Sequence, residues 1–171
     1  MSEQANAVTF KGNPMTLVGD QVNVGDKAPD VSLVGTDLGE KKISDFAGKT
    51  VILSAVPSLD TPVCDAQSRR FNEEAGKLGD NVVVLTVSLD LPFAQKRWCG
   101  AAGADHVLTL SDYRDRSFAQ SYGMLIKELG LLCRAVLIID PQGVVRYKQL
   151  VPEVAEEPDY NAVLEALKQV A

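Results

Sequence analysis

Two apolar runs rich in β-branched residues, "TVILSAV" (50–56) and "NVVVLTVSLD" (81–90), bracket a stretch of helical length. A continuous run with no polar alternation suits a strand covered on both faces rather than one lying against water. The segment between them predicts a helix from about Pro62 to Lys77, stopped near Gly76 and Gly79. Strand, helix and strand in this order belong to a layered α/β architecture.

The flanks fit the same layout. "VTFKGNPMTLVG" reads as an N-terminal β-hairpin turning around Gly12-Asn13-Pro14, and the turn-rich stretch 24–46 holds room for a further short strand. "LPFAQKRWCGAAG" suggests a short helix, "HVLTLSD" a strand and "SFAQSYG" another short helix. "RAVLIIDPQGVVRYKQLV" reads as two strands across the turn Asp140-Pro141-Gln142-Gly143. In "DYNAVLEALKQV", Tyr160, Val163, Leu164, Leu167 and Val170 share one stripe of a terminal amphipathic helix. The expectation is a central mixed sheet flanked by helices on both faces.

At 171 residues, with 46% hydrophobic and 23% charged residues and no repeat or linker, residues 1–171 are expected to form a single domain. The net charge of −6, with no basic cluster, argues against nucleic acid or an anionic membrane as partner. "MSEQANAVTF" lacks the basic and apolar regions of a signal peptide, and no run approaches the ~18 apolar residues of a membrane span. The cytoplasm is therefore the expected location, where thiols stay reduced and disulfides tend to be transient and catalytic. Cys64, Cys99 and Cys133 are too few and too dispersed for a zinc cluster, and His106 is the only histidine.

Cys64 follows the turn "PSLDT". Thr61 suits the N-cap and Pro62 the first helical position, with Asp60 as the alternative cap. Either register puts Cys64 in the first turn, where free N–H groups and the helix dipole favour a thiolate by about 0.3–1 kcal/mol. That falls short of what ionises a thiol at neutral pH, so a further cation is required. Cys64, Ala75, Phe71 and Leu78 share a stripe, which aims the sulfur inward. Position alone leaves two readings open: an activated nucleophile, or an inert buried thiol.

Pro57, Thr61 and Cys64 match the pattern proline, three residues, Thr or Ser, two residues, cysteine, and in this the chain resembles the peroxiredoxins. "VTFKGNPMTLVG", "VPSLDTPVCDAQSRRFNEE", "LDLPFAQKRWCG", "TLSDYRDRSF" and "EPDYNAVLEAL" extend the resemblance to the thiol peroxidase branch, of atypical two-cysteine type, along nearly the whole chain. The resemblance implies a thioredoxin-like fold and a peroxidase reducing hydrogen peroxide and organic hydroperoxides, with no metal, flavin or haem. It makes Cys64 the peroxidatic nucleophile, which becomes a sulfenic acid. Thr61 becomes a hydroxyl partner of the sulfur and peroxide, Pro57 a pocket wall, and Arg134 the fixed cation. Cys99 becomes the resolving cysteine, forming an intramolecular disulfide with Cys64, and thioredoxin the reductant of a homodimer.

Cys133 departs from the family pattern and reads as a small core filler. His106 reads as a surface residue unpaired with Cys64. Trp98 and Phe93 read as core packing, with an apolar pocket for alkyl hydroperoxides as the alternative, and Glu73, Glu74 and "EVAEEPD" as solvated surface. The competing functions are a thioredoxin-type disulfide oxidoreductase, which "CDAQ" disfavours for want of a second cysteine, and a peroxide-responsive sensor without sustained turnover.

Overall fold

In the computed structural model, which describes residues 2–170, the chain opens with the hairpin β1 (Glu3–Phe10) and β2 (Asn13–Val18). The short strands β3 (Ser32–Val34) and β4 (Glu40–Lys42) and a 3₁₀ turn follow. Next come β5 (Thr50–Ala55), α1 (Pro62–Ala75), β6 (Val82–Ser88), α2 (Pro92–Ala102) and β7 (Val107–Ser111). The remainder is α3 (Ser117–Ser121), β8 (Leu125–Ile126), β9 (Leu131–Leu132), β10 (Ala135–Ile139), β11 (Val145–Leu150) and α4 (Tyr160–Val170).

A seven-stranded sheet of order β11-β10-β5-β6-β7-β3-β4 forms the centre. β5, β6 and β7 run parallel, while β10 lies antiparallel to β5 with Ile52 opposite Ile138. Every residue of β5 is buried, as its unbroken apolar run requires. One face of the sheet (Ile52, Val84, Val136 and Ile138) packs under α1, α2 and α4 through Phe71, Trp98, Val163 and Leu167. The other (Leu53, Leu85, Leu137) packs against Phe118 of α3 and against Val8 and Leu17 of the hairpin. The mixed sheet flanked by helices on both faces matches the sequence expectation.

Two details differ from it. The hairpin turns at Lys11-Gly12, both at positive φ (51° and 82°), while Asn13 and Pro14 already belong to β2. Paired positive φ matches the right-handed twist of the strands, and glycine adopts it at no steric cost. The hairpin also belongs to a second sheet, β1-β2-β8-β9, whose last two strands are only two residues long and carry no readable periodicity. Among the described residues no helix is long and apolar enough to cross a membrane.

Candidate active site

β5 delivers the chain to Pro57, which is buried, and the turn 58–61 leads into α1. Thr61 is the N-cap residue with extended backbone, Pro62 takes the first helical position and Cys64 the third, as the sequence predicts. The inner face of α1 carries Cys64, Gln67 and Phe71, all buried. Cys64 is wholly screened from solvent.

Its sulfur meets a cation. Arg134, at the head of β10 and only 2% exposed, points its guanidinium under α1 and donates from Nη2 to Cys64 Sγ at 3.1 Å. Arg134 is fixed on its other edges: Nε donates to the Val154 carbonyl and Nη1 to Gln67 Oε1, both at 2.8 Å. Gln67 in turn donates from Nε2 to Ser54 Oγ of β5 at 2.7 Å. A guanidinium held by three acceptors has its direction set before any substrate arrives. Each terminal nitrogen carries two N–H groups, so one on each stays available to a peroxide oxygen beside the sulfur.

The turn itself is tied down from β6. Asp90 accepts from Ser58 Oγ at 2.7 Å, from Leu59 N–H at 2.8 Å and from Ser88 Oγ at 2.8 Å. Gln95 of α2 donates to Ser88 Oγ at 3.0 Å, joining that helix to the same network. Thr61 departs from simple capping: its hydroxyl donates to the Ser58 carbonyl at 2.9 Å and no hydrogen bond links it to the helix N–H groups or to the sulfur. With its proton so placed, its lone pairs are left to accept from a protonated peroxide.

All three cysteines are free thiols. Cys99, half-buried on α2, lies with Sγ 3.5 Å from Thr109 Oγ1 on β7. The strands that hold the two partners, β10 through Arg134 and β7 through Thr109, stand three places apart in the sheet, about 14 Å at ~4.8 Å per strand. Cys133 is fully buried, and burial pushes its thiol up to about 12, so it stays protonated.

Several side chains stand elsewhere than the sequence suggests. Trp98 packs inward at 8% exposure, but Phe93 is 67% exposed, because α2 buries Pro92, Gln95 and Trp98 and turns residue 93 to the opposite face. Phe93 lines instead an open cleft of about 660 Å³ with Asp60, Leu91, Arg97 and Trp98, next to the turn. A second cavity, near Lys27, Phe46 and Asp140, lies at the other end of β5 and β10. Glu74 is paired with Arg70 at 3.2 Å and Lys77 at 3.6 Å, its side chain largely covered, while Glu73 is exposed. Glu153 is not idle surface either: it accepts from Thr9, Lys11, Gly12 and Ala155 and clasps the hairpin turn. His106 is exposed, just before β7.

Sequence reasoning missed Gln67, Ser54, Asp90 and the Val154 carbonyl. Gln67 had a signal, since a glutamine on the buried stripe of an amphipathic helix needs a partner. Val154 acts through its backbone and Asp90 through a turn, where residue type says little, and Ser54 is a single small hydroxyl inside an apolar strand.

Residues 23–164 match the model of the Redoxin family. The thiol peroxidase of Bacillus subtilis is 56% identical over 161 residues, covering 94% of this chain and 96% of that protein. The thiol peroxidase of Streptococcus pneumoniae is 54% identical, covering 94% and 98%. The crystal structure of a peroxiredoxin-like protein from Aquifex aeolicus superposes with a TM-score of 0.91 at 45% identity, covering 98% of each chain.

Proposed function

The chain belongs to the Redoxin family, in its thiol peroxidase branch, and from that premise we propose a specific division of labour among its residues for thiol-dependent peroxide reduction. The observation that carries the reading is the Arg134 Nη2–Cys64 Sγ contact at 3.1 Å, with both residues buried. A thiolate is the nucleophile this chemistry needs, and a fixed, desolvated guanidinium is a strong partner for it.

Cys64 attacks the terminal oxygen of the hydroperoxide. The S–O bond forms, the O–O bond breaks, and the departing alkoxide or hydroxide takes a proton and leaves as alcohol or water. The unspent N–H groups of Arg134 stabilise the charge that develops on the two oxygens. Thr61 orients the peroxide, and Pro57 shapes the wall behind it. Asp90 keeps the turn between them in place.

Cys99 then attacks the sulfenic acid, releasing water and forming the Cys64–Cys99 disulfide. Thioredoxin returns both thiols. Because the sulfurs are held at separate anchors and an S–S bond spans only about 2 Å, the turn 60–66 and the segment 94–100 unwind to meet. The open cleft beside Leu91 and Phe93 gives room for the organic part of a larger hydroperoxide. We assign the working form to a homodimer on the strength of the family resemblance, and to single-domain subunits in the cytoplasm on the sequence features given above.

Peroxide-dependent NADPH consumption, coupled through thioredoxin and its reductase, tests this reading. The parent chain sustains turnover with hydrogen peroxide and with an organic hydroperoxide, and Cys64→Ser shows none. Turnover by a folded Cys64→Ser chain would overturn the assignment, and a single turnover by the parent would favour the sensor reading.

A further inference from the structure

The residues next to the two reacting cysteines hold each other. Asp65 follows Cys64, Trp98 precedes Cys99, and the indole Nε1–H of Trp98 donates to Asp65 Oδ1 at 2.6 Å. Within α1 the same carboxylate is gripped by Arg69, whose Nε reaches its two oxygens at 3.0 and 2.9 Å. The Arg69 guanidinium also lies 6.0 Å from the Trp98 ring centre. Trp98 is 8% exposed and the Asp65 side chain 35%, so the bond is short, charge-assisted and shielded from solvent on the indole side. Neither side chain is bonded to a cysteine sulfur. Each is covalently next to a residue that has to move.

We propose that Asp65 and Trp98 are positioning residues forming a latch between α1 and α2, and that its strength sets how oxidised Cys64 divides between disulfide and over-oxidation. The inference rests on the assignment of Cys64 and Cys99 given above. The sulfenic acid has two exits. In one, the Cys99 thiolate attacks the Cys64 sulfur, the S–S bond forms, the S–O bond breaks, and hydroxide leaves and takes a proton to become water. In the other, the sulfenate attacks a second hydroperoxide, whose O–O bond breaks: sulfur gains an oxygen to become sulfinate and the alcohol departs. The first exit requires both segments to unwind, and the second requires the closed pocket. A bond that ties residue 65 to residue 98 holds the protein in the geometry of the second.

Partial exposure makes the latch releasable. The Asp65 side chain is 35% exposed, so when the indole leaves and the turn unwinds the carboxylate is hydrated rather than stranded as a bare buried charge. Trp98 is donor-only, and this is the one hydrogen bond its indole makes among the described residues, so replacing it by phenylalanine removes the bond while keeping an aromatic body in place.

The test compares the full-length parent with Asp65→Ala, Trp98→Phe and the double variant. Reduced protein is mixed with one equivalent of hydrogen peroxide, alkylated at intervals, and its sulfenic, disulfide and sulfinic forms are separated by mass spectrometry. Each single variant forms the Cys64–Cys99 bond about tenfold faster, the equivalent of ~1.4 kcal/mol. The double variant is no faster than Asp65→Ala alone, because the bond that Trp98→Phe removes is already gone there. In excess peroxide the sulfinic share falls in parallel. Unchanged resolution in both single variants, additive acceleration in the double, or an effect confined to the first oxidation overturns the latch. A parent that consumes peroxide but never forms the Cys64–Cys99 bond removes the resolving assignment itself, a result distinct from a parent that forms it at the variants' rate.

Discussion

Replacing Arg134 by methionine keeps most of the apolar stem and removes three hydrogen bonds at once. The bond to Cys64 Sγ is a hydrogen bond to a charged group, worth about 1.5–3 kcal/mol. At ~1.36 kcal/mol per factor of ten, losing it slows peroxide attack by roughly ten- to a hundredfold at neutral pH. The Val154 carbonyl and Gln67 Oε1 lose their donor in a buried setting, at about 1–3 kcal/mol each, so stability falls as well. Arg134→Lys keeps the charge, but a single ammonium cannot span three acceptors in a fixed plane, and an intermediate rate is expected.

Stopped-flow mixing with substoichiometric peroxide reads the rate through Trp98, the only tryptophan, which neighbours Cys99. Urea titrations of the same samples give the folded fraction. A folded Arg134→Met protein that is oxidised at the parent rate would refute the electrostatic role. So would a rate loss that only follows the loss of folded protein.

Cys99→Ser consumes about one peroxide per subunit and stalls with thioredoxin as sole reductant, whereas Cys133→Ser cycles like the parent, its thiol being held protonated near 12 by burial. Coupled NADPH traces separate the two, and the reverse outcome would exchange their roles. Glu153 is held down to about 2 from an ordinary 4.5, first by the Ala155 N–H and then by that of Gly12. A depressed carboxylate contributes stability in full above 4.5 and loses it as pH falls toward 2, so Glu153→Gln flattens that part of the stability–pH curve measured by denaturant unfolding. Gly19 sits at φ +120° with its missing Cβ aimed at the Gln120 backbone, so Gly19→Ala costs roughly 2–4 kcal/mol, read as a lower urea midpoint.

The core strands and the placement of Cys64 were legible because they rest on sequence pattern: β5 and β6 as unbroken apolar runs, and Cys64 and Phe71 as one inward helix face, whereas Leu78 lies in the turn beyond the end of α1 at Ala75. Arg134 was not legible from its neighbours, since one arginine ahead of an apolar run has no signature; the family pattern named it. The packing reading of Phe93 went wrong because hydrophobicity alone does not tell which side of a short helix is buried, and on α2 the inward face is shared by a proline, a glutamine and a tryptophan. Glu153 went wrong because an acidic run looks solvated until the hairpin turn arrives from the other end of the chain with two N–H groups to satisfy. Strands β8 and β9 are held by their partners and were beyond any local reading.

The brace on Arg134 from Val154 carries a consequence for the newborn chain. On the proposed reading, the nucleophile is synthesised 70 residues before its cation, and that cation waits for a carbonyl a further 20 residues on. At ~5–20 residues per second, several seconds of translation separate the thiol from the groups that activate it. During that interval residue 64 has only the slow reactivity of an ordinary cysteine. On that reading full reactivity arrives only when the late segment folds back, so a half-made polypeptide carries this sulfur in its slow form.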